Sequence, residues 1–91
     1  MNRDAVMRKI LDMTENNEEI KRTITDCDAS LSEVYGFDSM LYIYLVVETE
    51  KTFGIEFEDI NLSLDHIQTM NQFVDVVMAY VGALPAHGAG K

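Results

Sequence analysis

Residues 39–53 constrain the fold of this chain more than any other stretch. Met40, Ile43, Val46, Val47 and Phe53 recur at helical spacing and make a broad apolar face. The β-branched run within it suits a strand. Apolar and polar residues do not alternate, however, and the length favours a helix. Asp38 stands just before the run, where a carboxylate can take up the free N–H groups of a first turn. Gly54 stands just after Phe53, a natural stop. With a helix committed at its centre, a 91-residue chain has to cover that helix with the segments on either side.

Those segments also carry helical patterns. Val6, Ile10 and Met13 form one stripe at i, i+4 and i+7, which predicts a helix over 3–16 with Asn2 as its cap. Asn16 and Asn17 weaken it, while residues 18–21 are able to carry it to about residue 22. Residues 23–38 read as a long connection. Its apolar residues Ile24, Leu31, Val34 and Phe37 are expected to lie against the core, and Gly36 punctuates its end. Ile55 and Phe57 return the chain to the core, and residues 59–64 predict a short helical turn anchored by Ile60, Leu62 and Leu64. Thr69 and Gln72 form a capping box that opens a last helix with Phe73, Val76, Val77, Tyr80 and Val81. Pro85 ends any helix, and residues 86–91 read as a flexible tail. The expected fold is all-α: a small four-helix bundle of three main helices and one short one, with a long first loop. One domain is expected over residues 1–84, with a tail at 85–91.

Composition narrows the function. The chain is 47% hydrophobic, too apolar for a disordered acidic segment. No apolar run approaches the roughly 20 residues needed to span a membrane, and no secretory leader pattern opens the chain, so the cytoplasm is the expected location. Five basic residues balance five acidic ones over residues 1–22, so the net charge of −9 lies beyond the first helix. Such a field disfavours nucleic acid and anionic membrane as partners and attracts proteins with basic patches. Cys27 is the single cysteine, and no metal-ligand spacing of Cys and His occurs. Met7, Met13, Met70 and Met78 read as adaptable core residues, and His66 and His87 as structural or surface groups.

Ser39 is the residue with chemistry to offer. It falls at the first position of the central helix, where free N–H groups and the helix dipole favour an anion. A phosphate ester on its hydroxyl gains local support there. Asp38 opposes that ester unless a divalent cation bridges the two during transfer. A hydrolase nucleophile needs a strand before the serine and a glycine two residues after it; Met40 and Leu41 follow Ser39 instead.

The run Gly36-Phe37-Asp38-Ser39-Met40, with Glu48, Glu50, Phe53-Gly54-Ile55 and Thr69-Met70 after it, resembles the acyl carrier protein family over about residues 3–82. The resemblance implies a 4′-phosphopantetheine arm on Ser39, attached by a phosphopantetheinyl transferase from coenzyme A. It also implies acyl or aminoacyl groups held as thioesters for an acyl- or aminoacyl-loading enzyme and downstream synthases or transferases. The chain is then a discrete carrier and not an enzyme, expected as a monomer. Met40, Ile43, Val47, Ile60 and Ile67 are candidates for a shallow apolar shelter, or for ordinary core.

The chain departs from the family where the family commonly has an acidic residue soon after the serine and a glutamate five positions past it. Leu41 and Tyr44 take those places. Both are expected to face outward, away from a buried stripe of Met40, Ile43 and Val47, and Tyr42 adds a further ring. Leu41, Tyr42 and Tyr44 are thus candidate partner contacts, with Glu48, Glu50, Glu56, Glu58 and Asp59 as targets for basic partners. Thr49, where the family often has leucine, is expected to narrow or wet part of the core at some cost in stability. These departures point to a specialised polyketide, peptide or aminoacyl pathway. The alternative is an unmodified helical interaction module of the same fold.

Overall fold

The computed structural model describes residues 2–57 and 66–82. Among the described residues three helices carry the fold: α1 (Arg3–Asn16), α2 (Ser39–Phe53) and α3 (Met70–Gly82). α1 packs against both α3 and α2. The expected turn at 59–64 and tail at 85–91, with Glu58, Asp59 and Ile60, lie outside the described residues.

Each helix starts on a side-chain cap. Asn2 accepts the N–H of Ala5 at 2.8 Å, and Asp38 accepts that of Leu41 at 2.8 Å. Thr69 Oγ1 accepts the N–H of Gln72 at 3.1 Å while Gln72 Oε1 accepts that of Thr69 at 3.2 Å, completing the capping box. α2 ends at Gly54, whose φ of 66° is left-handed. The Ile55 N–H then bonds back to the Glu50 carbonyl at 3.2 Å, five residues earlier, closing a Schellman turn.

α1 stops at Asn16 and does not run on to residue 22. Asn17 turns out of the helix and its side chain accepts the N–H groups of Glu19 and Ile20. Lys21 then adopts a φ of 46°, and the Arg22 N–H returns to the Thr14 carbonyl. The chain has folded back on the helix, which buries Ile20.

The long connection is stitched down at both ends of its course. Arg22 donates to the carbonyls of Tyr35 and Ile20, each at 2.8 Å. Leu31 N–H reaches the Gln68 carbonyl and Asn71 N–H reaches that of Cys27, fastening the loop to the start of α3. Asn71 also bonds Asp28, and Arg3 bonds Asn71 and Asp75, so loop, α1 and α3 share one polar seam. Ile24, Leu31 and Phe37 are buried as expected; Val34, in the turn between them, is 60% exposed.

The core consists of Val6 and Ile10 from α1, Tyr42 and Leu45 from α2, Met70, Phe73, Val74 and Val77 from α3, and the loop residues just named with Ile55 and Ile67. Met70 lies in the core, and Met7, Met13 and Met78 pack against it. Thr14 and Thr49 are fully buried, yet neither leaves its hydroxyl wanting: Thr14 donates to the Leu11 carbonyl and Thr49 to that of Leu45. At Thr49 the helix itself supplies the acceptor, so the buried hydroxyl is satisfied without a further partner.

Candidate functional site

The start of α2 is built from its two flanks. Gly36 takes a left-handed φ of 72° beside the Arg22 guanidinium, and Phe37 then drops into the core at 3% exposure. Phe37 and Tyr42 occupy the positions just before the cap and four residues into the helix, the places of a hydrophobic staple, and both are buried. This pins the entry angle of α2. Asp38 and Ser39, between the two anchors, stay exposed.

Ser39 is the first residue of α2, and its hydroxyl makes no hydrogen bond to the described residues. The helix start is satisfied by Asp38 instead, which leaves Ser39 Oγ available as a nucleophile toward phosphorus. Ser30 and Ser32 offer less: their hydroxyls pair with each other at 3.3 Å, and Ser30 Oγ also accepts the Glu33 N–H. An exposed hydroxyl at a helix N-terminus, flanked by a carboxylate able to face a cation carried by a partner, fits the ester linkage of a phosphate-bearing arm.

The cap itself can be tested apart from the charge. Replacing Asp38 by Ala is expected to lower stability by about 1 kcal/mol, whereas Asn in its place keeps it within a few tenths. Urea unfolding of the two variants separates the hydrogen bond from the charge.

The faces of α2 are the reverse of those expected. Tyr42, Leu45 and Thr49 point into the core, and Leu41 and Tyr44 are half-buried against it. Met40, Ile43 and Val47 are exposed, at 56%, 53% and 39%. At about 100° per residue the two sets lie on nearly opposite sides of the cylinder. Tyr42 is thus removed from the candidate outer contacts, and Met40, Ile43 and Val47 from the core. The cause is that α2 is apolar almost all round, so spacing alone offers two stripes. Aromatic packing selects between them: Tyr42 meets Phe73 edge-on, with centroids 5.9 Å apart. The staple pattern is the signal that points to the right stripe, because an Asp38 cap puts Phe37 and Tyr42 at its two positions, and both are buried.

The acidic candidates divide as well. Glu50 accepts the Phe57 N–H at 2.8 Å and so fastens the turn after α2. Glu48 lies 3.5 Å from Lys51, and Glu56 is exposed. Of the shelter candidates, Ile67 is buried. His66 is exposed. Cys27 is half-buried with its thiol 3.8 Å from the Met7 sulfur. Burial, then Asp28 and Asp26, push that thiol up from its ordinary value, and Arg3 acts the other way. Among the described residues no group of three or more His, Cys, Asp or Glu is placed to hold a metal, and no helix is long and apolar enough to cross a membrane.

A family profile described as the phosphopantetheine attachment site matches residues 5–77. The match takes in α1, α2 and most of α3, and the chain belongs to this family of carrier proteins. Its prosthetic group is a covalently bound phosphopantetheine, and its role is to carry and not to catalyse. No individual curated protein gives a significant match.

Proposed function

We propose that Ser39 is the attachment residue and that the chain carries acyl or aminoacyl intermediates in the cytoplasm for a specialised polyketide, peptide or related biosynthesis. The observation that supports this most is the free, exposed Ser39 hydroxyl at the head of a helix whose capping is done by its neighbour. When bound, phosphopantetheine supplies a thiol that holds the cargo as a thioester. What this chain contributes is a nucleophilic oxygen, a rigid platform beneath it and a surface for partners. Tethering turns each encounter with a partner enzyme into a reaction at high effective concentration.

Partners meet that surface beside Ser39. Met40, Ile43 and Val47 form an apolar stripe beginning one residue past the serine, with Asp38 and Glu56 as exposed acidic groups of the same domain. Exposed apolar residues grouped on one helix face mark interaction surfaces. A transferase has to bring its active site to Ser39, and loading enzymes and downstream synthases have to receive the arm rooted there, so all dock beside this stripe. Replacing Ile43 by Asp is expected to lower kcat/KM for arm transfer about tenfold, the scale of losing one good interface contact. The unfolding temperature should stay within about 2 °C, because the side chain is already outside.

The direct experiment is incubation with a broad-specificity phosphopantetheinyl transferase and coenzyme A. Intact mass should rise by one phosphopantetheinyl group. An unchanged mass, beside a control carrier that is modified, rejects the Ser39 reading and favours an unmodified interaction module.

A further inference from the structure

The stretch Ser39–Val47 carries no charged side chain, although the chain as a whole has a net charge of −9. The carboxylates that flank it in α2 and its cap are engaged within the domain. Asp38 accepts the Leu41 N–H, Glu50 accepts the Phe57 N–H, and half-buried Glu48 lies 3.5 Å from Lys51. The exposed stripe of Met40, Ile43 and Val47 thus offers a partner apolar surface in place of the acidity seen elsewhere in the chain.

Lys51 continues that stripe. Met40, Ile43, Val47 and Lys51 are spaced by three, four and four residues. At about 100° per residue they stay within about 80° of the helix surface, over about 16 Å of its axis. Lys51 is the only Lys or Arg between residues 23 and 90, and its side chain is 70% exposed. A cation in the last turn also suits the helix dipole. Position 52, likewise exposed and in that turn, would serve the dipole equally. At position 51 the cation instead stands in line with three exposed apolar side chains. Its contact with Glu48 is a largely exposed i, i+3 pair of the weak kind, so the ammonium can turn to a partner carboxylate at little cost. Apolar anchors at i, i+3 and i+7 are the pattern by which a helix seats in a groove. A charge at the end of such a groove sets partner choice and register more than affinity.

We propose that the phosphopantetheinyl transferase receives α2 in an apolar groove that covers Met40, Ile43 and Val47 and ends in a carboxylate facing Lys51. The inference rests on Ser39 being the attachment residue. It gives the partner's contact a sign opposite to the basic patch that an acidic chain calls for. Lys51 is then a specificity-determining residue, because a basic group at the end of the groove meets it as a like charge.

The test is arm transfer from coenzyme A by a broad-specificity phosphopantetheinyl transferase, read by intact mass at a temperature where every variant is folded. For the unaltered chain kcat/KM should change less than about threefold between about 50 and 500 mM NaCl, since apolar contact is not screened. Lys51→Gln should lower it about threefold and Lys51→Glu about tenfold, the second by placing like charges together. Glu48→Gln should raise it about twofold, because Lys51 loses its internal partner. When acidic residues of the transferase are changed to Lys one at a time, one change should restore transfer to Lys51→Glu while slowing it with the unaltered chain. Lys51→Gln that melts lower but is modified at the unaltered rate overturns the proposal, since the lysine then serves only the helix end. A larger fall with salt, or Lys51→Glu modified as fast as the unaltered chain, overturns it by marking a basic or indifferent partner site. So does the absence of any restoring change in the transferase. An unaltered chain that gains no arm overturns the attachment reading together with this one; transfer that is blind to Lys51 overturns this one alone.

Discussion

Ser39→Ala is expected to accept no phosphopantetheinyl group under conditions where the unaltered chain gains one, and to unfold within about 0.5 kcal/mol of it. The two halves of this result have separate causes. Loss of modification follows, on the proposed attachment at Ser39, from removing the oxygen that would form the ester. Retention of stability follows from the division of labour at the start of α2. Asp38, not Ser39, accepts the Leu41 N–H, and Ser39 is exposed with no hydrogen bond to the described residues. Alanine at a first helical position is also well tolerated. The comparison is informative because Ser30 and Ser32 lie in the same well-fastened loop system, with hydroxyls already engaged. A Ser39→Ala protein that still gains the mass of one arm would move the attachment site elsewhere. A variant that gains none but has lost its cooperative unfolding would show that Ser39 supports the helix in a way its exposure does not suggest.

What was legible in the sequence was what is decided within a few residues. Asn2, Asp38, Gly54 and the Thr69–Gln72 pair each act through hydrogen bonds spanning at most five residues, and all sit where their local chemistry places them. The motif around Ser39 is local in the same sense. What was not legible depends on distant partners. α1 ends at Asn16 because the chain folds back to bond Thr14, and the loop is held by Arg22, Tyr35 and the start of α3. The bonds of Arg3 to Asn71 and Asp75 span 68 and 72 residues. Spacing rules carry no information at that range.

The inverted face of α2 is the most consequential case, because it moves the partner surface. The helix offers Tyr42, Leu45 and Thr49 on one side and Met40, Ile43 and Val47 on the other, both at helical spacing. A rule that ranks aliphatic residues as core and hydroxyl-bearing ones as surface chooses wrongly here. Threonine in a helix satisfies itself on the preceding turn, and a tyrosine ring buries more apolar area than the methyl groups opposite. Placing aliphatic residues outside is costly for a monomer in water and consistent with the proposed docking of partners beside Ser39.

Phe73→Ala is expected to lower unfolding free energy by about 3–5 kcal/mol, the range for deleting a fully buried ring whose cavity cannot collapse. Phe73 is at 0% exposure and touches both Tyr42 and Phe57, so it is the ring through which α2, the segment after it and α3 meet. Neighbouring side chains have little freedom to refill the space. Tyr42 is pinned by its place in the staple with Phe37, and Phe57 by the bond from its N–H to Glu50. Against a total of about 5–14 kcal/mol for a domain of this length, such a loss is a large share of the stability. Urea unfolding should show a much lower midpoint with little change in slope. At a temperature where the variant is still folded, arm transfer to Ser39 should persist, since the Asp38 cap and the Ser39 hydroxyl are formed within α2 itself. A loss smaller than about 1.5 kcal/mol would mean that these rings repack freely.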